Sequence, residues 1–566
     1  MGPDNRRVLL ATVLSLGIIT LWQLSPWGRA PKPAPKPAQQ ASQPAKPAET
    51  AAPSAPTPAP QAQPAPAPVP VNAPEELITL EGSGFRVVLT SHGGALREVH
   101  LEGQKFRRDT GGGQLEPINL VRVTEGQPYP LAVVASPELG GAQDAGTDPA
   151  ARAPMRLVAH DEHSATFEGR AGNATVRKVF RLTGRPYELG LDLEVSGAAA
   201  ANAGVIVLYP GFMPPATKSG GFFSGPPVEF MRPICRAGQS TERFDVNGKE
   251  QMARGEGAVQ WAGLDQGYFI SALFPSEPKG ACAFARGPVA GSGETAIRLP
   301  MEGDAARYSL SVYLGPKDLD LLRAYGRGFD SAIDYGTMAR PFAFFARLLL
   351  YVMRWFERLV HNWGVAIILL TVLVKVLLYP LTAKSMQSMN EMRKLQPEIE
   401  KLKAKHGNDR EKLNLATMQL YQQHKVNPLG GCLPMLLQLP IWFALYATLQ
   451  TSVELYREPF LWIADLTRKD PYYILPLAMG VSSFVMQKLS PQPADNSQAK
   501  MMLYFMPGFF TFIMLSVPAG LTLYIFVNNV LSIVQQQVMM RRMPPVAPGS
   551  ATSASPPTVS ARPAKR

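Results

Sequence analysis

The sequence predicts a bundle of membrane helices carrying a large β-rich domain outside the membrane. Three observations carry that prediction. Apolar runs of near-spanning length crowd the last third of the 566-residue chain. Short alternating stretches, separated by Gly and Pro clusters, fill residues 75–335. The net charge of +12 is concentrated in particular segments, and that distribution sets a topology.

Residues 1–27 read as an N-terminal transmembrane anchor. Arg6 and Arg7 precede the apolar run Val8 to Leu24, and no A-x-A-like cleavage site follows it. From Pro31 to Pro74 roughly one residue in three is proline, mixed with Ala and Gln, so residues 28–74 form a polyproline-type linker that builds no core. Residues 75–335 are then read as a β-sandwich. Its strands are expected at Phe85–Thr90, Ala174–Leu182, Tyr187–Val195, Gly204–Tyr209, Tyr268–Phe274 and Tyr308–Leu314. His92, His100, His160 and His163 lack metal-ligand spacing, and no metal or cofactor is expected. Three cysteines make no disulfide framework. Cys235 and Cys282 can pair only if the domain is extracytoplasmic, and spacing leaves that open.

Residues 336–360 follow as an interfacial amphipathic helix. Arg340, Arg347, Arg354 and Arg358 recur on one face, with Phe342, Phe345, Leu349, Val352 and Phe356 on the other. The core, residues 361–540, holds five spans: Trp363–Leu381, Leu433–Val453, Tyr472–Leu489, Met501–Val517 and Gly520–Val538. Prolines 434, 440, 476 and 507 interrupt them tolerably in a bundle. With the anchor this makes six transmembrane helices.

The Lys384–Lys425 loop carries nine cations against five acids, and the tail 541–566 is basic. The positive-inside rule therefore places that loop and both termini in the cytoplasm and the β-rich domain in the periplasm. Within the loop, Met392, Leu395, Ile399 and Leu402 precede a break at His406–Asp409, and Leu413, Ala416 and Leu420 follow it. This is a helical hairpin over 384–426. Met386, Met389, Met392 and Met418 offer it an adaptable apolar surface for client or partner contact, or else pack the hairpin on itself.

A single cation, Lys375, lies inside the run VAIILLTVLVKVLLYPL. It sits ~18 Å from the Trp363 end and ~9 Å from Leu381 at 1.5 Å per residue. A charge there costs roughly 3 to more than 10 kcal/mol, so it marks a functional site by default. Thr371 is one turn away, and Gln438, Ser483, Tyr524 and Asn528 bring polar atoms from other spans, with further ones at Ser482, Gln487, Asn529 and Ser532. No intramembrane carboxylate accompanies them. A buried cation without a partner anion needs water, which points to a hydrated groove open to the cytoplasm. The alternative is a lysine that snorkels along its own helix. No Walker loop and no catalytic triad are present, so the chain is not read as an enzyme.

Asn427-Pro428-Leu429-Gly430-Gly431-Cys432, Leu439-Pro440-Ile441-Trp442, Asp470-Pro471-Tyr472-Tyr473-Ile474-Leu475-Pro476 and Gln535-Gln536-Gln537 resemble the YidC/Oxa membrane protein insertases. The resemblance spans the chain in its Gram-negative form. It implies insertion and folding of nascent inner-membrane proteins, alone or with the Sec translocon (SecYEG, SecDF). It also implies a periplasmic β-supersandwich similar to galactose-mutarotase domains, without sugar chemistry. The family's groove cation is often arginine, and Lys375 stands there in this chain. An aromatic often follows the residue matching Tyr524; here it is Ile525. The basic tail and hairpin suit a ribosome or anionic lipids equally. The rival classes are a secondary transporter, which usually carries several intramembrane ionisable groups, and an assembly factor without a translocating groove.

Overall fold

The computed structural model describes residues 74–109, 115–136, 148–197, 204–213 and 230–542, with short breaks at 249, 251, 256, 288, 302, 337–339, 407–408, 425, 427–432 and 490–496. The expected anchor, nearly all of the Pro/Ala-rich linker, the Asn427–Cys432 motif and the tail beyond 542 lie outside the described residues.

The β-rich region is built on an antiparallel nine-stranded sheet. Its order is Ser240–Arg243, Arg232–Ala237, Val259–Gln266, Phe269–Pro275, Ala305–Pro316, Glu188–Ser196, Ala174–Leu182, Ser164–Ala171 and Arg156–His160. A five-stranded sheet runs Met252–Arg254, Ala281–Arg286, Ser292–Pro300, Gly204–Phe212 and Val133–Ser136. Leu77–Gly82, Phe85–Thr90 and Ala95–Leu101 make a third, smaller sheet. All six strands expected from alternation are present, with ends displaced by up to three residues.

Alternation also decides what each face of the large sheet touches. Leu264, Leu273, Leu310, Val312 and Leu314 join the core shared with the smaller sheets. Their neighbours Trp261, Ile270, Ala272, Phe274 and Tyr313 point the other way, into a core shared with the helices. The middle of the sheet is therefore covered on both faces, and Phe269–Pro275 is buried throughout. Near the free edge one face meets water. There Glu168, Arg177, Glu194 and Arg307 sit opposite one another on four successive strands, alternating in sign. Such exposed pairs contribute about 0–1 kcal/mol each.

Cys235 and Cys282 are bonded. The bond joins the nine-stranded sheet to the five-stranded one across the buried interior. It closes a 47-residue separation, which constrains the unfolded chain by about 4 kcal/mol on the chain-entropy view.

A short helix α1 (Leu319–Tyr325) follows the last strand. Its N-cap, Asp318, accepts from the backbone N–H groups of Asp320 and Leu321 at 2.9 and 3.0 Å. The amphipathic helix is α2 (Ala343–Val360). The sequence suggests two faces, one basic and one apolar; the structure has three sectors. Ala346, Leu349, Leu350 and Met353 are buried in the bundle, and Phe344, Phe345, Leu348, Trp355 and Leu359 are exposed. Arg354 forms the third sector, turned toward acidic side chains. Phe345 thus leaves the buried face, because the bundle and the exposed apolar side divide the hydrophobic positions between them.

The remaining helices are α3 (Trp363–Lys394), α4 (Gln396–His406), α5 (Arg410–Gln423), α6 (Leu433–Thr451), α7 (Ile474–Leu489), α8 (Ser497–Met514) and α9 (Ala519–Arg542). α3 does not end at Leu381. It carries Pro380 inside and runs on to Lys394, since Thr382–Lys394 holds no breaker. The expected hairpin over 384–426 is therefore the end of α3 followed by the pair α4 and α5. That pair closes on Leu395, Leu420 and Val426, with Met392, Ile399, Leu402 and Tyr421 against them.

By length and composition, Trp363–Met392 is the one helix among the described residues sufficient to cross a membrane; Ile474–Leu489 and Tyr504–Met514 are apolar but shorter. The surface argues further. Val376, Leu377, Leu477, Val481, Tyr504, Phe505 and Phe512 are each more than half exposed. Large apolar side chains exposed in this number suit lipid better than water. At Gly480 a Cβ would run into the Thr511 side chain, so glycine is what lets α7 and α8 approach.

Candidate functional site

The site is assembled around α9. On its apolar background, Tyr524, Asn528, Ser532 and Gln535 step by four, four and three residues, which puts them on one face. Asn529 and Gln536, seven apart, share the adjacent face. Between them these polar groups reach three other helices. The Gln438 amide on α6 donates to the Tyr524 hydroxyl. The Lys375 ammonium on α3 donates to Ser532 Oγ at 2.6 Å, and Ser532 donates onward to the Asn528 carbonyl at 2.7 Å. Gln535 donates to Thr382 Oγ1 on α3 at 2.7 Å. On the second face, Asn529 Nδ2 donates to Ser483 Oγ on α7 at 2.8 Å, and Gln536 donates to the Leu489 carbonyl at 2.8 Å. In an apolar medium such contacts fix register between helices, worth about 0.6 kcal/mol each on average.

Lys375 is half-buried and points across to α9. Its ammonium meets a hydroxyl, not a carboxylate. An ammonium has three donors, and among the described residues only one of them finds an acceptor, which leaves two for water or a visiting chain. The Asn528 Oδ1 is buried and lacks a partner among the described residues.

The expected groove residues do not all converge. Lys375 and Asn528 belong to one chain of contacts, joined by Ser532. Gln438 and Tyr524 form a separate pair. Ser483 joins α7 to Asn529. Thr371 stands apart: it is 1 % exposed and its hydroxyl donates to the Ile367 carbonyl of its own helix at 2.7 Å. Ser532 and Asn529 were the links whose weight the sequence did not reveal, although their helical spacing was visible. The four methionines form no single surface. Met386 and Met389 are half-buried on the extended α3, Met392 packs in the α4–α5 seam, and Met418 is 51 % exposed. Ile525 is partly buried against the helical core.

These features define a helical membrane protein with a polar seam that bears Lys375, joined to a disulfide-braced β-rich region. Residues 77–352 match the family model of the YidC periplasmic domain, and residues 355–546 that of the 60Kd inner membrane protein. The chain is 73 % identical over 553 residues to the membrane protein insertase YidC of Anaeromyxobacter sp. (strain Fw109-5), covering 98 % of this chain and 100 % of that one. It is 38 % identical over 469 residues to the membrane protein insertase YidC of Geobacter sulfurreducens, covering 81 % and 85 %. A crystal structure of an active YidC insertase with its first transmembrane domain resolved aligns at 18 % identity over 83 % of this chain and 94 % of that chain, with a TM-score of 0.34. The chain belongs to the YidC family of inner-membrane protein insertases.

Proposed function

We propose that this chain inserts newly made inner-membrane proteins through a hydrated groove at Lys375, open to the cytoplasm and to lipid and closed on the β-rich side. Six membrane spans, with both termini and the α4–α5 pair cytoplasmic, make up the topology. Support for that orientation comes from the basic 384–425 segment and from the Cys235–Cys282 bond, which suits an oxidising compartment. The observation that carries the groove is the Lys375 ammonium, which has one acceptor among the described residues for three donors. Water in the groove stabilises the cation. The cation and the polar faces of α9 in turn lower the desolvation cost for acidic or polar client residues. The client's apolar flank passes into lipid along the exposed aromatic side of α8, where Tyr504, Phe505 and Phe512 lie.

Clients are nascent membrane proteins. The Sec translocon, the ribosome and anionic lipids are the partners this reading assigns, the last two through the basic tail and the α4–α5 pair. Gln438, Tyr524, Asn528 and Ser483 line or frame the groove, while Thr371 shapes its helix. The test is insertion of a purified client into proteoliposomes. Lys375→Glu is expected to slow it at least ~10-fold, or ~1.4 kcal/mol. Lys375→Ala should fall between that and wild type, and Lys375→Arg should stay near wild type. Equal rates for all three would remove the charge from the mechanism.

A further inference from the structure

The α6–α7 connection begins at Val453–Leu455 and is gripped from two sides. From the β-rich region, the Tyr268 hydroxyl donates to the Leu449 carbonyl in the last turn of α6 at 2.9 Å. Tyr456 packs its ring 5.1 Å from that of Tyr268 and 5.4 Å from that of Phe269. Lys105 donates to the Glu454 carbonyl and pairs with Glu458 at 3.0 Å. From the other side comes Arg354 of α2.

Arg354 is the point where three segments meet. Its guanidinium pairs with Asp320, with Glu454, and with Asp318 at 3.5 Å. Its side chain is only 12 % exposed and that of Glu454 11 %. Asp318 serves two partners at once, since its Oδ1 caps α1 while its Oδ2 faces Arg354. The second oxygen of Glu454 is buried without a partner among the described residues. Glu454 therefore depends on Arg354 for neutralisation. A planar five-donor fork can serve three carboxylates together, which a lysine ammonium on a flexible stem does less well.

What this junction holds is the end of α6. From Leu449 to Gln438 is eleven residues of helix, ~16 Å at 1.5 Å per residue. Pro440 lies between them and removes one backbone hydrogen bond. The helix is thus compliant next to Gln438, and its path must be fixed from its ends. We propose that Arg354 is a positioning residue for insertion: by binding Asp318, Asp320 and Glu454 together it fixes the end of α6, and through α6 the Gln438–Tyr524 contact at the groove. The β-rich region is on this view a brace for the groove wall rather than a tethered appendage. The proposal rests on the groove reading given above.

The experiment uses the full chain in proteoliposomes, with Lys375→Glu run in parallel and hydrogen exchange followed over residues 448–458. Arg354→Gln is expected to slow insertion roughly two- to thirty-fold, the range of mutations that act through coupled packing. It should also speed exchange in 448–458 while the unfolding temperature of the β-rich region stays put. Arg354→Lys should be intermediate. The double variant Arg354→Gln with Glu454→Gln removes the stranded carboxylate but does not restore the link, and should stay about as slow as the single variant. A wild-type rate for Arg354→Gln, with or without faster exchange, overturns the proposal and leaves the groove standing. So does a double variant restored to the wild-type rate, because the loss would then come from a stranded carboxylate and not from the missing link. A wild-type rate for Lys375→Glu overturns the groove reading itself, and with it the role given to Arg354.

Discussion

Two lysines withdrawn from solvent, one fully buried in the β-rich region and one half-buried among the helices, show how the two halves use charge. Lys178 lies in the β-rich region at 1 % exposure, and its ammonium donates to the carbonyls of Gly93, Gly94 and Leu131 at 2.6, 2.9 and 2.7 Å. Every donor is used. Lys375 lies among the helices with one donor on Ser532. The first is a stitch: it ties the Ser91–Ala95 turn and the Leu131 segment to a central strand, and nothing is left over for a visitor. The second is an unfinished coordination shell, which only water or substrate completes. A third buried lysine, Lys317, takes another solution, a carboxylate (Asp265) at 2.8 Å. Burial pushes Lys317 down and Asp265 pulls it back. The lesson is that burial of a cation does not by itself mark a site; what meets the charge decides, three carbonyls for Lys178, a carboxylate for Lys317 and a single hydroxyl for Lys375.

The largest effect is expected where coordination is complete. Burial pushes Lys178 down to about 7, while its three carbonyl acceptors call for the full ammonium. Lys178→Met leaves three carbonyls without donors and should destabilise the β-rich region by about 4 kcal/mol or more, read by thermal unfolding. A loss under about 1 kcal/mol would break the comparison, because the stitch would then be ornamental.

Glu294 sharpens it with the opposite sign of charge. Burial raises its carboxyl from 4.5 to about 8. The folded state therefore holds a proton that the unfolded chain releases first. Stability is fully present below about pH 4.5 and falls as pH rises through 8. Glu294→Gln should remove that fall, with a gain of several kcal/mol at pH 9 and almost none at pH 4. Unfolding measured across this range gives the answer, and parallel pH profiles for the two proteins would contradict it.

Ser532→Ala should do least. It deletes the one acceptor of Lys375 among the described residues, yet a water can take its place at a cost well below the upper bound of ~2 kcal/mol. Insertion is expected to slow by no more than about threefold, with the unfolding temperature of the β-rich region unchanged. A loss as large as that of Lys375→Glu would mean the lysine is held by protein, as Lys178 is, and not by water.

Legibility in the sequence followed the range of each interaction. The strands were readable because alternation is local, and Ala174–Leu182 appears with the ends expected of it. The Lys375 position was readable because one cation in an apolar run needs no partner to be seen. The end of α3 was not, since the apolar run stops at Leu381 while the helix, with Pro380 inside it, runs on to Lys394. The disulfide depends on the approach of two sheets, which spacing does not report. The Arg354 junction was read as one more charge on an amphipathic face. Its partners lie 34, 36 and 100 residues away, beyond any periodicity. The Lys375–Ser532 bond spans 157 residues, and only the helical spacing of polar residues in α9 hinted at it. Thr371 shows the converse error: same-face spacing with Lys375 is local and correct, but its hydroxyl is spent on its own backbone.

The most direct measurement is the solvent access of the Lys375 position. A Lys375→Cys variant, otherwise lacking accessible thiols, would be treated in sealed vesicles with a membrane-impermeant maleimide applied from one side at a time. The account predicts labelling from the cytoplasmic face and protection from the β-domain face. A thiol that stays unlabelled from both sides, or one reached from the β-domain side, would contradict it.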